Sequence, residues 1–169
     1  MAISASDVKE LRERTGAGML ECKKALEEAK GDLEKAMAAL KAKGHAMAEK
    51  RADRETAEGV VASYIHHNHR VGTLVEVNCE SDFVARTDDF RHLVQAVALQ
   101  VAGTSPKYLS KEDMPEGSDE DPATVCLLEM PFLKEPDKTI SDMVKDTIGK
   151  TGENIRIRRF ARFELGKYD

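Results

Sequence analysis

Four groups of residues in this chain are of types that do chemistry. His66, His67 and His69 precede Cys79, and nitrogen and sulfur donors together suit a zinc ion. Thr15-Gly16-Ala17-Gly18 is a glycine-rich turn of the kind that approaches phosphate closely. Arg156, Arg158, Arg159 and Arg162 make a basic stretch that could follow an RNA backbone. The fourth group runs from Glu76 through Val77-Asn78-Cys79-Glu80-Ser81-Asp82-Phe83-Val84-Ala85 to Arg86. It is the end of an apolar strand, a polar turn, and then an acid and a large aromatic at the start of a helix. Such a corner forms a projection that can push into a partner more readily than a pocket.

Each group also has a plainer reading. Adjacent His66 and His67 face opposite sides of a strand, and no second ligand cluster completes a tetrahedral set, so no metal site is expected. The glycine turn lacks the strand before it and the lysine after it that a phosphate-binding loop needs. It reads as a tight interhelix turn, with Met19 beside it as a docking surface, and no direct nucleotide binding is expected. The arginines sit in a chain of net charge −5 with no tryptophan and 5% aromatics. That balance speaks against phosphate-backbone binding and stacking platforms, and for salt bridges to acidic helices. No serine lies in GxSxG and no Cys–His pair has a local signature, so nucleophile-and-base catalysis finds no support. At the corner two readings stay open. Ser81 or Asp82 caps a helix whose Phe83 enters the core, or Phe83 stands free. Phe83 and Val84 cannot both share the face of Leu93 and Val97.

The elements that must position these groups follow from periodicity. Ser4 and Asp7 suggest a capping box opening a helix with Val8 and Leu11 that stops at Thr15-Gly16. A second helix carries Met19, Cys22, Leu26 and Ala29 and ends at Gly31. Asp32 caps a third, with Leu33, Ala36, Met37 and Leu40, closed by Gly44. His45 to Ala57 reads as a charged, solvent-exposed linker helix. Period-two alternation over Val60–Ile65 and Val71–Val77 predicts paired strands joined by a turn at His66–Arg70. After the corner, Phe90, Leu93, Val94, Val97, Ala98 and Val101 mark a long amphipathic helix ending at Gly103-Thr104-Ser105-Pro106. Ser110 to Pro122 is a polar loop, Val125 to Met130 a third strand, and Thr139 to Ile148 a helix. Asn154 to Leu165 alternates and then slips phase at Arg158-Arg159, the mark of a bulge. The expected fold class is α+β, an antiparallel sheet covered by helices, preceded by a small three-helix unit.

At 169 residues the chain can bury one good core, or a satellite and a medium one. No apolar run reaches a membrane span. Met1-Ala2-Ile3-Ser4 has neither signal nor transit character, and the scattered Cys22, Cys79 and Cys126 fit a reducing cytoplasm.

Three blocks resemble one family, bacterial and organellar elongation factor Ts. They are Val8-Lys9-Glu10-Leu11-Arg12-Glu13-Arg14-Thr15-Gly16-Ala17-Gly18-Met19 with Glu21-Cys22-Lys23-Lys24-Ala25-Leu26, the corner Glu76 to Ala85, and Thr151-Gly152-Glu153-Asn154-Ile155-Arg156-Ile157-Arg158-Arg159-Phe160. They occur in the family order and reach from one end of the chain to the other. The resemblance implies a guanine-nucleotide exchange factor for elongation factor Tu in translation elongation, acting by protein binding without bond chemistry and without a cofactor. It implies that Arg12, Gly16, Gly18, Met19 and Leu20 dock on the GTPase. It also implies that Ser81, Asp82, Phe83 and Val84 insert near the nucleotide and dislodge its Mg²⁺. The implied domains are a UBA-like three-helix docking unit (1–44), a linker helix (45–57) and an α+β dimerisation core (58–169). Ser81 stands where the family usually has threonine, and Leu20 where methionine is common. There is room for one core, whereas long members carry two and a helical hairpin. The short form is therefore implied, with a homodimer supplying the missing half.

Overall fold

Helix ends decide where the first third of the chain turns. In the computed structural model, which describes residues 3–167, α1 (Ala5–Thr15) starts at Ser4. The Ser4 Oγ accepts from the Asp7 N–H at 3.1 Å, and Asp7 Oδ2 accepts from the Ser4 N–H at 3.2 Å. This reciprocal pair satisfies two of the N–H groups that a helix start leaves without internal partners. Gly16 closes α1 in the left-handed region at φ 70°. α2 (Met19–Glu28) opens from Gly18, which is extended at φ −63°, so only the first loop glycine uses a positive φ. α2 closes through Lys30 at φ 54° and Gly31 at φ 86°, with the Gly31 N–H on the Leu26 carbonyl at 2.8 Å. Val8, Leu11, Cys22, Ala25, Leu26 and Ala36 form a small buried cluster between these helices and the next.

That next helix corrects the expectation of a stop at Gly44. α3 (Leu33–Arg51), capped by Asp32, runs on through residue 44 and absorbs most of the expected linker. Gly44 is a packing residue: α3 crosses a later helix, α7 (Ile140–Thr151), and a Cβ on Gly149 would lie 3.0 Å from the Gly44 Cα. The stretch after it is not wholly solvated either, because Ala48 is buried in the main core.

β1 (Glu58–Ile65) and β2 (Val71–Cys79) form the expected hairpin, turned at His66–Arg70 with His69 at φ 57°. β5 (Ile155–Glu164) pairs on the other side of β2, giving an antiparallel sheet in the order β1-β2-β5. Its register shifts as predicted: Glu76 pairs with Arg159 and Val77 with Ile157, so Arg158 is the extra residue of a bulge. One face of the sheet, with Val75, Val77, Cys79, Ile155 and Ile157, packs on α5 (Asp88–Thr104) and α7 around a core that includes Phe90, Val94, Val97 and Ile148. On the other face Val61, Ile65, Leu74 and Phe163 are exposed.

Two further expectations are corrected. A one-turn helix, α4 (Asp82–Ala85), precedes α5, so the corner does not open the long helix itself. Val125–Met130 is not a strand. It holds the end of α6 (Pro122–Val125), started by Asp121 accepting from the Ala123 N–H at 3.0 Å, and a 3₁₀ turn at Leu127–Glu129. A short buried apolar run does not by its periodicity distinguish strand from turn. The strands here are the small hairpin β3 (Pro131–Phe132) and β4 (Glu135–Thr139). Gln100, fully buried on α5, fastens it: Nε2 donates to the Pro131 carbonyl at 3.0 Å and Oε1 accepts from the Leu133 N–H at 2.9 Å. No described helix is long and apolar enough to cross a membrane.

The crossing of α3 and α7 predicts opposite outcomes for its two glycines. A Cβ on Gly44 would meet the Gly149 Cα at an ordinary 3.5 Å, so Gly44→Ala should gain up to about 1 kcal/mol from helix propensity. Gly149→Leu should lower the thermal midpoint by forcing the helices apart. Thermal unfolding of both variants checks this, and a neutral Gly149→Leu would refute the close crossing.

Candidate functional site

The corner is built at the point where β2 runs out. Ser81, extended at φ −129° and ψ 155°, is the N-cap of α4. Its Oγ accepts from the Val84 N–H at 3.3 Å and donates to Glu153 Oε1 at 2.6 Å. Its N–H donates to Glu153 Oε2 at 3.0 Å, and its carbonyl accepts from the Cys79 thiol at 3.1 Å. Every polar group of Ser81 is thus engaged. The neighbouring Glu80 accepts from the Asn154 N–H at 2.6 Å and from Arg54 Nη1 at 3.4 Å.

The break between α4 and α5 resolves which apolar residue stands free. Thr87 takes the Val84 carbonyl at 2.8 Å with its hydroxyl and caps α5 by accepting from the Phe90 N–H at 3.4 Å. α5 therefore sets its own phase. Val84 and Ala85 turn into the main core, while Phe83 is left 77% exposed. Asp82 points to solvent and pairs with Arg86 at 2.7 Å, so the cap is Ser81 and not Asp82. Burying a phenylalanine is worth roughly 1.5–3 kcal/mol, which this chain forgoes at a turn that Glu153, Cys79 and Thr87 hold in place.

Arg12, Gly16, Gly18, Met19 and Leu20 meet at the turn between α1 and α2. The Gly16 N–H closes on the Arg12 carbonyl at 2.8 Å, and Arg12 is exposed. Met19 and Leu20 stand 52% and 83% exposed on the first turn of α2. Leu20 borders a shallow groove with Lys24, Ala39 and Lys43.

The remaining candidates are not brought together. Cys79 pairs with Glu58 at one end of the β1–β2 hairpin, and the histidine turn closes the other end. The His66 and His67 rings are 4.2 Å apart between centroids, but no metal-holding cluster of His, Cys, Asp or Glu occurs among the described residues. Of the four arginines, Arg156 donates to the Ala52 carbonyl, Arg159 binds Glu76 at 2.6 Å, and Arg162 binds Glu164 at 2.7 Å. Their acids lie on strands rather than on the expected helices. The Arg159 guanidinium holds the Glu76 carboxyl below its ordinary range.

Sequence reading missed the residues that hold the corner, Glu80, Glu153 and Asn154. Local pattern carries no signal for a partner more than seventy residues away. Glu153 and Asn154 do lie in the third block above, where they read only as the approach to a strand.

Residues 5–126 match the family model described as Elongation factor TS. The chain is 47% identical over 195 aligned positions to the elongation factor Ts of Carboxydothermus hydrogenoformans, covering 98% of this chain and 90% of that protein. It is 48% identical to that of Caldanaerobacter subterraneus subsp. tengcongensis, covering 98% of each. With that of Thermosipho melanesiensis it shares 44% identity, over 98% of this chain and 100% of the relative.

Burial, with the Glu153 charge second, pushes the Cys79 thiol from its ordinary 9.0 up to about 11. Between those values the folded chain keeps a proton that the unfolded chain has lost, so stability must fall as pH rises through that window. Denaturant midpoints measured across pH 9 to 11 should fall less steeply for Cys79→Ala than for the natural chain, and equal slopes would contradict the assignment.

Proposed function

The chain belongs to the elongation factor Ts family, and we propose that it releases GDP from elongation factor Tu by gripping that GTPase at two separated places. It is a guanine-nucleotide exchange factor of translation elongation, of the short form with a single core. The α1–α2 turn is the first grip: Arg12, Met19 and Leu20 supply a charge and two exposed apolar side chains, with Gly16 and Gly18 shaping the turn. The corner is the second, and the observation that carries it is Phe83, exposed on a turn whose backbone is held by Glu153 and Cys79.

A bound Mg²⁺ and the phosphate-binding loop keep GDP on a GTPase. An aromatic driven between the elements behind that loop displaces the groups that coordinate metal and phosphate. Phe83 is the wedge, Asp82 bears on the metal region, and Ser81 and Val84 hold the turn. Coupling between two ligands is symmetric, so the exchange factor and GDP weaken each other's binding by the same factor. Incoming GTP expels the factor through the same coupling. No bond is made or broken, no cofactor is needed, and the chain itself holds no nucleotide. The work is done in the cytoplasm.

The core also pairs with a second copy of itself. Val61, Ile65, Leu74 and Phe163 share the open face of the sheet, where Ile65 and Phe163 flank Gly72 and Leu74 lies between Ser63 and Ala161, with Leu165 beyond the end of β5. These exposed apolar side chains, beside the Glu76–Arg159 pair on the same face, suit a cover, and a homodimer in which two such faces meet supplies the half that long members carry within one chain. RNA binding is the weaker alternative, since three of the four β5 arginines are spent on internal partners.

Fluorescent GDP bound to elongation factor Tu should be released faster by sub-stoichiometric amounts of the chain. Phe83→Ala should cut the saturating release rate at least tenfold while changing folding stability by no more than about 0.5 kcal/mol, as for other exposed sites. A large stability loss would instead give Phe83 a structural role. Sedimentation equilibrium at micromolar concentration should show a dimer that Leu74→Glu and Phe163→Glu convert to monomer. A monomeric natural chain would refute the pairing.

A further inference from the structure

The corner and the segment before β5 bind each other reciprocally. Glu153 accepts the Ser81 N–H at 3.0 Å and the Ser81 hydroxyl at 2.6 Å. In the other direction Glu80 accepts the Asn154 N–H at 2.6 Å. The β2–β5 ladder ends at the pair Cys79 and Ile155, so each carboxylate extends the pairing one step with a side chain in place of a carbonyl. The same segment grips the end of α3. Asn154 Nδ2 donates to the Ala52 and Arg54 carbonyls at 3.3 and 2.8 Å, and Arg51 donates to the Gly152 carbonyl.

The consequence for the corner lies in one proton. A single helical turn is marginal by itself, and α4 depends on the Ser81 hydroxyl accepting from Val84. A hydroxyl has one proton to give, and Glu153 takes it, which leaves a lone pair aimed at the Val84 N–H. Without Glu153 the hydroxyl is free to rotate and the Ser81 N–H loses its partner. The core still anchors Val84 and the Cys79 thiol still holds the Ser81 carbonyl. The N-terminal side of the turn nevertheless loses two of its fixed contacts, and the direction in which Phe83 leaves it is less tightly set.

We infer that Glu153 is a positioning residue for nucleotide release, holding Ser81 through two hydrogen bonds so that Phe83 is presented in one orientation relative to α3 and the docking turn. This inference rests on the proposed wedge role of Phe83. Glu153 makes no hydrogen bond or ion pair with Arg12, Gly16, Gly18, Met19 or Leu20 of the first grip, so its loss should slow release at saturation and leave binding through the α1–α2 turn nearly unchanged.

The test measures GDP release from elongation factor Tu against concentration of the intact chain, separating the saturating rate from the half-saturating concentration. Glu153→Ala should lower the saturating rate about tenfold, the scale of losing hydrogen bonds to a charged group. Its half-saturating concentration should shift less than about twofold. Glu153→Gln, which keeps one acceptor of two, should fall between. Combining Glu153→Ala with Ser81→Ala should cost less than the product of the single effects, because both act through one contact. A saturating rate for Glu153→Ala within twofold of the natural chain would overturn the inference, as would multiplying effects in the double variant. So would a Glu153→Gln chain of full activity beside a Glu153→Ala chain whose loss follows its unfolded fraction, since the role would then be structural. Phe83→Ala is the control: unchanged release there removes the wedge reading itself, whereas slow release there with normal Glu153→Ala removes only this inference.

Discussion

One helix belongs to two hydrophobic cores, and the rest of the molecule is arranged around that constraint. α3 contributes Ala36 to the cluster under α1 and α2, and Ala48 to the cluster under the sheet. Its 19 residues span about 28 Å at 1.5 Å per residue. A helix buried at both ends in different cores cannot tilt in one without disturbing the other. The glycine pair at the α3–α7 crossing lets the backbones come close enough for that double burial. The hydrogen bonds at its C-terminal end from Asn154 and Arg156 then fasten it to the sheet. The small three-helix unit, near the lower size limit for folding alone, thereby shares in the stability of the larger core.

Where structure depends on neighbours in sequence, it was legible. The caps at Ser4, Asp32 and Thr139 are side chains serving N–H groups three residues on, and each opens a helix where expected. The β1–β2 hairpin and the bulge at Arg158 are written in alternation and in its failure. What was illegible depends on distant partners. Gly44 resembles a stop signal unless Gly149 is known to lie against it. Val125 to Met130 is apolar because Cys126, Leu127 and Met130 are buried, yet the backbone there is turn, not strand. The split between α4 and α5 was hidden because Thr87 is an inconspicuous residue inside an otherwise continuous helical pattern.

The candidate site was half legible for the same reason. Asp82 and Phe83 were visible as unusual neighbours at a strand end, but the expected phase conflict assumed one continuous helix and left both readings of Phe83 open, whereas α4 and α5 are separate helices. Family resemblance supplied the direction of that choice. The groups that hold the turn were invisible locally, because Glu153 meets Ser81 only when β5 closes beside β2. A projecting aromatic differs from a loose one in such second-rank contacts, and the chain invests a carboxylate, a hydroxyl and a thiol in fixing one turn of helix.

The bulge at Arg158 has a further consequence, for what the protein avoids. β5 is a ten-residue strand at the margin of its sheet, with one row of backbone donors and acceptors turned away from β2. A margin that long and regular is a template on which a stray extended chain can add itself, the first step toward fibrils. The inserted arginine breaks the repeat, increases the local twist and sets positive charge beside Arg156 and Arg159. In a crowded cell full of nascent, unfolded segments, that single irregular residue helps keep the sheet from growing.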